Sequence, residues 1–101
     1  MKMYILIRES VATGYALLAA AHGSLSCFLK FQDTPEVQEW LKSSFKKVIC
    51  KVSDAEFEKA KTFDDYTVVT ESTLNNMELA LVFKPRQEYP KAFKFFRLYR
   101  D

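Results

Sequence analysis

The chain has 101 residues, of which 49% are apolar, 28% are charged and only two are glycine. This length and composition predict one compact domain over residues 1–101 and exclude a disordered, fibrous or multidomain protein. With a net charge of +2, no apolar run long enough to span a bilayer and no secretory pattern at the N-terminus, we expect a soluble, cytoplasmic protein without a membrane partner.

The first half of the chain predicts a strand followed by two helices. Residues 2–8 are rich in β-branched and aromatic side chains, which favour a strand. Thr13 is a plausible N-cap for a long apolar-periodic helix that reaches about Phe31. A second helix, with Pro35 in its first turn, extends to about Ser44. We expect Trp40 to anchor that helix to the core.

The second half predicts a further strand, a helix and two more strands. Ser53 and Glu56 have the spacing of a capping box at the start of the helix, and we expect Pro85 to end the last strand. The residues after Pro90 fit a short helix and an edge strand equally well. The predicted elements are a strand at 47–52, a helix at 53–62, a strand at 66–70, a polar connection at 72–77 and a strand at 78–84.

Alternating strands and helices predict the α/β class. We expect a four-stranded mixed, mostly parallel sheet with helices packed on it, in a two-layer or three-layer sandwich. The two cysteines, Cys27 and Cys50, have neither CxxC nor Cys/His spacing, so we interpret them as reduced core residues. We predict neither a metal nor a cofactor.

His22 is the only histidine of the chain, and histidine is the side chain whose ordinary pKa lies nearest neutral pH. At about 100° per residue its helix places it on one flank, at the edge of an apolar stripe that we expect to be buried. Two interpretations remain open, a half-buried histidine bonded to a backbone carbonyl and a functional residue. The predicted stripe contains Leu18, Ala21, Leu25 and Leu29, and the flank contains Tyr15, Ala19, His22 and Ser26.

A second candidate region follows the third predicted strand, where the polar loop 71–76 begins with Glu71. Ligands of open α/β sheets collect beyond the carboxyl ends of the strands. Arg8 ends the first strand, so if the two strands run parallel its guanidinium lies at the same edge. There it would hold a phosphate or pair with Glu71. The alternative is a surface loop with an ordinary ion pair.

These residues resemble the type 2 peptidyl-tRNA hydrolases of archaea and eukaryotes and their bacterial relatives. That family begins with an apolar strand ending in arginine, followed by a helix of the Gly-Lys-Ile-Ala-Ala-Gln-x-x-His type. Here Ile5-Leu6-Ile7-Arg8 precedes Gly14-Tyr15, and Ala19-Ala20-Ala21-His22 keeps the register from glycine to histidine. The family's acidic residue and polar loop resemble residues 68–76. Tyr15, Ala19 and Glu71 stand where the family has lysine, glutamine and aspartate.

The resemblance implies hydrolysis of an ester of peptidyl-tRNA or a related substrate by an activated water. It implies that His22 acts as a general base or positions water and that Glu71 orients the imidazole, while Arg8 and cations of the C-terminal tail hold phosphate. Thr73 or Asn75 would donate to the developing oxyanion. The ligand-binding residues predicted in this way are Arg8, Tyr15, Thr73, Asn75 and Asn76.

Two other functions remain open. The replaced lysine and glutamine favour a catalytically inactive module that binds or sequesters tRNA, a nucleotide or another phosphorylated small ligand. The tail from Lys84 onward is basic and aromatic, a combination that can bind phosphate and stack bases. A third hypothesis is that this tail assembles a homodimer. The alternative for the tail is a terminal element packed on its own domain. Its basic residues are Lys84, Arg86, Lys91, Lys94, Arg97 and Arg100.

Overall fold

The computed structural model of the protein describes residues 1–100. Within them, α-helices alternate with β-strands, and two short 3₁₀ helices occupy Ser72–Leu74 and Lys91–Phe95. In this part of the chain no helix is both long and apolar enough to cross a bilayer. The regular elements are β1 (Lys2–Arg8), α1 (Thr13–Phe31), α2 (Pro35–Lys42), β2 (Lys46–Val52), α3 (Asp54–Ala60), β3 (Tyr66–Glu71), β4 (Met77–Arg86) and β5 (Arg97–Leu98).

The described strands form one five-stranded sheet in the order β3-β4-β1-β2-β5. β1 and β2 are parallel neighbours, whereas the other three pairs are antiparallel. The α/β class is therefore confirmed, but the prediction of four strands in a mostly parallel sheet is wrong. Parallel neighbours need a long crossover, and the connection from β3 to β4 is too short for one. β4 consequently turns back beside β3 and separates it from β1.

Helices cover both faces of the sheet, so the sandwich has three layers. Successive side chains of a strand point to opposite faces. On β1, Ile5 and Ile7 belong to the apolar cluster that includes Trp40 of α2, whereas Leu6 belongs to the cluster that includes Phe57 of α3. Trp40 is buried, and its indole Nε1 donates a hydrogen bond to the Lys46 carbonyl oxygen at 2.8 Å. The prediction that Trp40 anchors α2 is confirmed.

The buried face of α1 is not the one that the spacing of its leucines predicted. Leu25 is 60% exposed and Leu29 is 54% exposed. The buried residues are small, because α1 lies very close to the sheet: a methyl group on Gly23 would collide with Val82. Leucines cannot fit such a close contact, so they face solvent. The buried side of the helix consists of Ala16, Ala19, Gly23 and Cys27.

The predicted boundaries at Pro85 and at the start of α1 differ from the observed ones. β4 continues through Pro85 to Arg86, because the register between β4 and β1 shifts beside this proline. A bulge accommodates a residue that has no N–H to donate. α1 begins at Thr13, but its N-cap is Ala12 and no side chain caps it. The capping box of Ser53 is confirmed, with both of its hydrogen bonds present.

The C-terminal segment combines both predicted alternatives. Residues Lys91–Phe95 form a 3₁₀ helix, and Arg97–Leu98 pair with β2 as an edge strand. Phe93 is buried in the α3 side of the core. The segment is thus packed on its own sheet, as the alternative interpretation of the tail proposed.

Both cysteines are free and buried, in agreement with their interpretation as core residues. Burial raises the pKa of the Cys27 thiol to about 12 and that of the Cys50 thiol to about 11. Because the thiolate is the reactive form of cysteine, these side chains are poor nucleophiles.

Candidate functional site

The start of α1 meets the loop after β3 at the edge of the sheet where β1, β2 and β3 end. β1 and β3 run in the same direction, because both are antiparallel to β4. The prediction that Arg8 and the polar loop lie at the same edge required β1 and β3 to run in the same direction, and they do. The contact between the two segments joins the hydroxyl oxygens of Tyr15 and Thr73, which are 3.3 Å apart.

A chain of hydrogen bonds continues from this contact to Glu71. The Thr73 hydroxyl donates to Glu71 Oε2 at 2.6 Å, and the Thr73 backbone N–H donates to the same oxygen at 3.1 Å. An ionised carboxylate can only accept, so the hydroxyl hydrogen of Thr73 is directed at Glu71. Tyr15 is then the donor to Thr73. This relay, formed by Tyr15, Thr73 and Glu71, connects the carboxylate to the first turn of α1.

Glu71 also lies close enough to His22 for the charges of the two groups to interact. The hydrogen bonds from Thr73 and, to a lesser degree, the charge on His22 hold the pKa of the Glu71 carboxyl below its usual range. His22 is exposed, so it is not the half-buried structural histidine considered above. Tyr15 of the predicted flank therefore contacts the polar loop 71–76, and His22 interacts with Glu71 of that loop through its charge.

The loop reverses direction through two asparagines. Asn75 and Asn76 have φ angles of 54° and 59°, in the left-handed region that asparagine tolerates better than most residues. Both side chains are exposed. Their conformation accounts for the tight return into β4, and it leaves their side-chain amides accessible to a ligand.

Arg8 lies at the predicted edge but on the opposite face of the sheet. Its guanidinium bonds Asp54 through Nε at 3.0 Å and through Nη2 at 2.9 Å. Nη1 donates to the Glu78 carbonyl oxygen at 3.2 Å, and the group lies 5.2 Å from the ring centre of Phe57. The predicted pairing with Glu71 is therefore wrong. Alternation along β1 directs Arg8 to the α3 layer together with Leu6.

Sequence reasoning missed Asp54 as the partner of Arg8. The capping box at Ser53 already placed the start of α3 directly after β2, and β2 ends beside β1. A carboxylate in the first turn of α3 was therefore the available signal. Burial of the Arg8 side chain is substantial, with 22% of it exposed.

Ala19 occupies the position at which the resembling family has glutamine, and it is completely buried against the sheet. Its methyl group offers no hydrogen bond. Any water at this site must be oriented by side chains other than that of residue 19.

Replacing Thr73 by valine should raise the pKa of Glu71 toward its usual value. The substitution keeps the shape of the side chain but removes the shorter of the two hydrogen bonds to the carboxylate. The titration of the Glu71 carboxyl carbon, followed by NMR, measures the change. Ser72→Ala is the control, because Ser72 is an exposed neighbour. An unchanged Glu71 titration in Thr73→Val would contradict the relay.

The fold and the site define an α/β protein whose first helix contacts, through Tyr15, a polar loop at the carboxyl ends of the strands. The sequence model of the family Peptidyl-tRNA hydrolase PTH2 matches residues 1–78. The chain therefore belongs to the Peptidyl-tRNA hydrolase PTH2 family, which confirms the resemblance. Among curated proteins, none matches the chain. The matched range contains His22 and the whole polar loop 71–76.

Proposed function

We propose that the protein hydrolyses the ester bond between the peptide and the tRNA in peptidyl-tRNA. The observation that carries this proposal is the hydrogen-bonded series from Tyr15 of α1 through Thr73 to Glu71, which fixes a carboxylate at the edge of the sheet that α1 contacts. The charge of His22 contributes to the lowered pKa of that carboxylate. Family membership supports the substrate class. No covalent nucleophile is required, because an activated water can attack an ester.

In the proposed reaction, His22 takes a proton from a water whose oxygen attacks the ester carbonyl carbon. The tetrahedral intermediate then expels the ribose oxygen, which receives the proton from His22. Glu71 remains ionised, because its pKa is lowered, and it stabilises the imidazolium that forms between the two steps. The products are the free peptide acid and a tRNA with a free terminal hydroxyl.

The hydrogen bond from Thr73 to Glu71 favours Asn75 over Thr73 as the donor to the oxyanion. Thr73 and Asn75 are both within the loop, but the hydroxyl hydrogen of Thr73 is directed at Glu71. The exposed side-chain amide of Asn75 is therefore the better donor to the developing charge. Tyr15 and Asn76 are the further residues that contact the substrate in the proposed complex.

The start of α1 supports the binding of a phosphate. No side chain caps it, and its first turn contains no acidic residue. The backbone N–H groups and the positive end of the helix dipole are thus available to an anion. Arg8 is held by Asp54 on the other face, so its role in the proposal is to fix the start of α3 at this edge rather than to bind phosphate.

The direct test is the release of N-acetylated amino acid from acetyl-aminoacyl-tRNA by the wild-type protein. We expect release that increases in proportion to protein concentration and is reduced in Glu71→Gln, which loses the charge but keeps the shape. Release at the spontaneous rate at every protein concentration would contradict the hydrolase proposal.

A module that binds tRNA or another phosphorylated ligand without turnover is the second candidate. The burial of Ala19 favours it, because the family's glutamine has no replacement there. Binding and hydrolysis assays on the same protein sample distinguish the hydrolase from the binding module. Binding of tRNA at low salt, together with ester release at the spontaneous rate, supports the module. Turnover above the spontaneous rate rejects it.

A further inference from the structure

The C-terminal segment contributes to a basic cavity where β5 pairs with β2, at the end of the sheet. A cavity of about 500 Å³ is lined by Lys51, Arg97, Leu98 and Arg100. Two of its three cations come from β5 and the residue that follows Tyr99, beyond the part of the chain that matches the family.

Specific contacts hold the lining residues in place. Lys51 pairs with Arg97 across the antiparallel strands, so both side chains point to the same face of the sheet. Lys51 Nζ donates to the Arg100 carbonyl oxygen at 2.7 Å and lies 4.6 Å from the ring centre of Tyr99. The Tyr99 N–H donates to the Ile49 carbonyl oxygen at 2.8 Å. The cluster is therefore part of the packed sheet.

Within residues 1–100, the positive charge of this cluster is only partly neutralised. Among residues 1–100, Glu9 is the carboxylate that contacts it, through an ion pair with Arg97 at 2.9 Å. Both partners of that pair are about half exposed or more, so it contributes little stability and can exchange for another anion. The partners of Lys51 are a neutral carbonyl and a ring. The cavity therefore favours an anionic ligand.

The cavity and the site lie along the same edge of the sheet. Lys51 is the last but one residue of β2, and Arg97 reaches Glu9, which directly follows β1. Lys51 alternates with the buried Cys50 and Val52 of the α3 layer, so it points to the face that carries α1. Four strand spacings separate β3 from β5, which corresponds to about 19 Å.

We infer that this cavity binds backbone phosphates of the tRNA while its 3′ ester lies at His22. The inference rests on the proposed function for the position of the ester. Lysine and arginine side chains on a concave surface recognise the regular phosphates of an RNA chain without reading its sequence. The strands that carry the two places, β3 and β5, are about 19 Å apart in the sheet, a distance that several successive nucleotides cover, so one tRNA molecule can reach both.

The test compares two double variants that remove the same charge. Arg97→Gln with Arg100→Gln empties the cavity of two cations. Lys91→Gln with Lys94→Gln is the matched control, because these lysines line a different cavity with Lys2 and Arg86, at the opposite edge of the sheet. Fluorescence anisotropy with labelled deacylated tRNA, over a range of salt concentrations, measures affinity. Thermal unfolding monitors the fold of each variant.

We expect the cavity variant to bind tRNA about tenfold more weakly and to lose about two from the slope of log affinity against log salt. We expect the control variant to bind like the wild type. Equal affinity and slope in the cavity variant would overturn the inference, as would equal losses in both variants. Binding of AMP as tight as that of tRNA would overturn the assignment to a polynucleotide backbone.

Kinetics separate this inference from the proposed function. On acetyl-aminoacyl-tRNA, the cavity variant should show a raised KM and an unchanged kcat. On an acetyl-aminoacyl ester of adenosine, which has no tRNA body, both constants should match those of the wild type. If the wild type hydrolyses neither substrate, the proposed function fails, while the anisotropy measurement still decides whether the cavity binds tRNA.

Discussion

His22→Ala should reduce the hydrolysis of peptidyl-tRNA by a factor of about 10² to 10⁴, the usual contribution of a general base. The alanine variant has no group at this position that can accept a proton from water. Because His22 is exposed on α1, the substitution removes no core contact, and the protein should unfold at an unchanged temperature. The rate of ester release under saturating substrate measures the effect.

Ser26→Ala is the matched control for that substitution. Ser26 lies one turn further along the same flank of α1 and is also exposed. The Ser26→Ala substitution should leave kcat and KM unchanged, because Ser26 has no role in the proposed mechanism. Wild-type turnover in His22→Ala would reject the assignment of the base, and a similar loss in Ser26→Ala would indicate a general effect of changing α1.

Phe93→Ala should lower the free energy of unfolding by about 3–5 kcal/mol, as expected for removing a fully buried phenylalanine. Phe93 is 2% exposed, and its ring centre lies 5.1 Å from that of Tyr4, 5.0 Å from that of Phe83 and 4.9 Å from that of Tyr89. The substitution leaves a cavity between β1, β4 and the tail, because the neighbouring aromatic rings cannot move into the space that the Phe93 ring occupied. Unfolding in urea, monitored by circular dichroism, measures the loss.

Phe95→Ala is the control, because Phe95 is only two residues away and is 73% exposed. It should change the free energy of unfolding by about 0.5 kcal/mol or less, as is typical of surface substitutions. An equal, small change in both variants would show that the tail is not part of the core. The expected difference would instead establish residues 91–95 as part of the folded core, in which Phe93 is unavailable to a partner subunit.

The local signals in the sequence were sufficient for most elements. Ser53 and Glu56 have the spacing of a capping box, and the structure contains both of its hydrogen bonds. The apolar run that starts at Lys2 ends at Arg8 as predicted. These features depend on residues within one or two helical turns or on one strand, so the sequence contains all that determines them.

The candidate site was predictable where it depends on the helical period. The spacing of Tyr15 and His22 placed them on one flank of α1, and the structure shows that Tyr15 contacts the loop that begins at Glu71. The bond from Thr73 to Glu71 was not predictable, because it depends on the conformation of a turn. Arg8 was assigned to the correct edge but paired with the wrong carboxylate.

The sequence by itself determined the positions of the helices, the first three strands, the α/β class and the register of His22 on its helix. Tertiary structure alone decided which side of α1 is buried, where β4 enters the sheet and which face Arg8 occupies. Gly23 illustrates the reason. Periodicity favoured the leucines as the buried stripe, but Val82, far away in the sequence, packs so closely that only small residues fit. Contacts between distant segments select among faces that local spacing leaves equivalent.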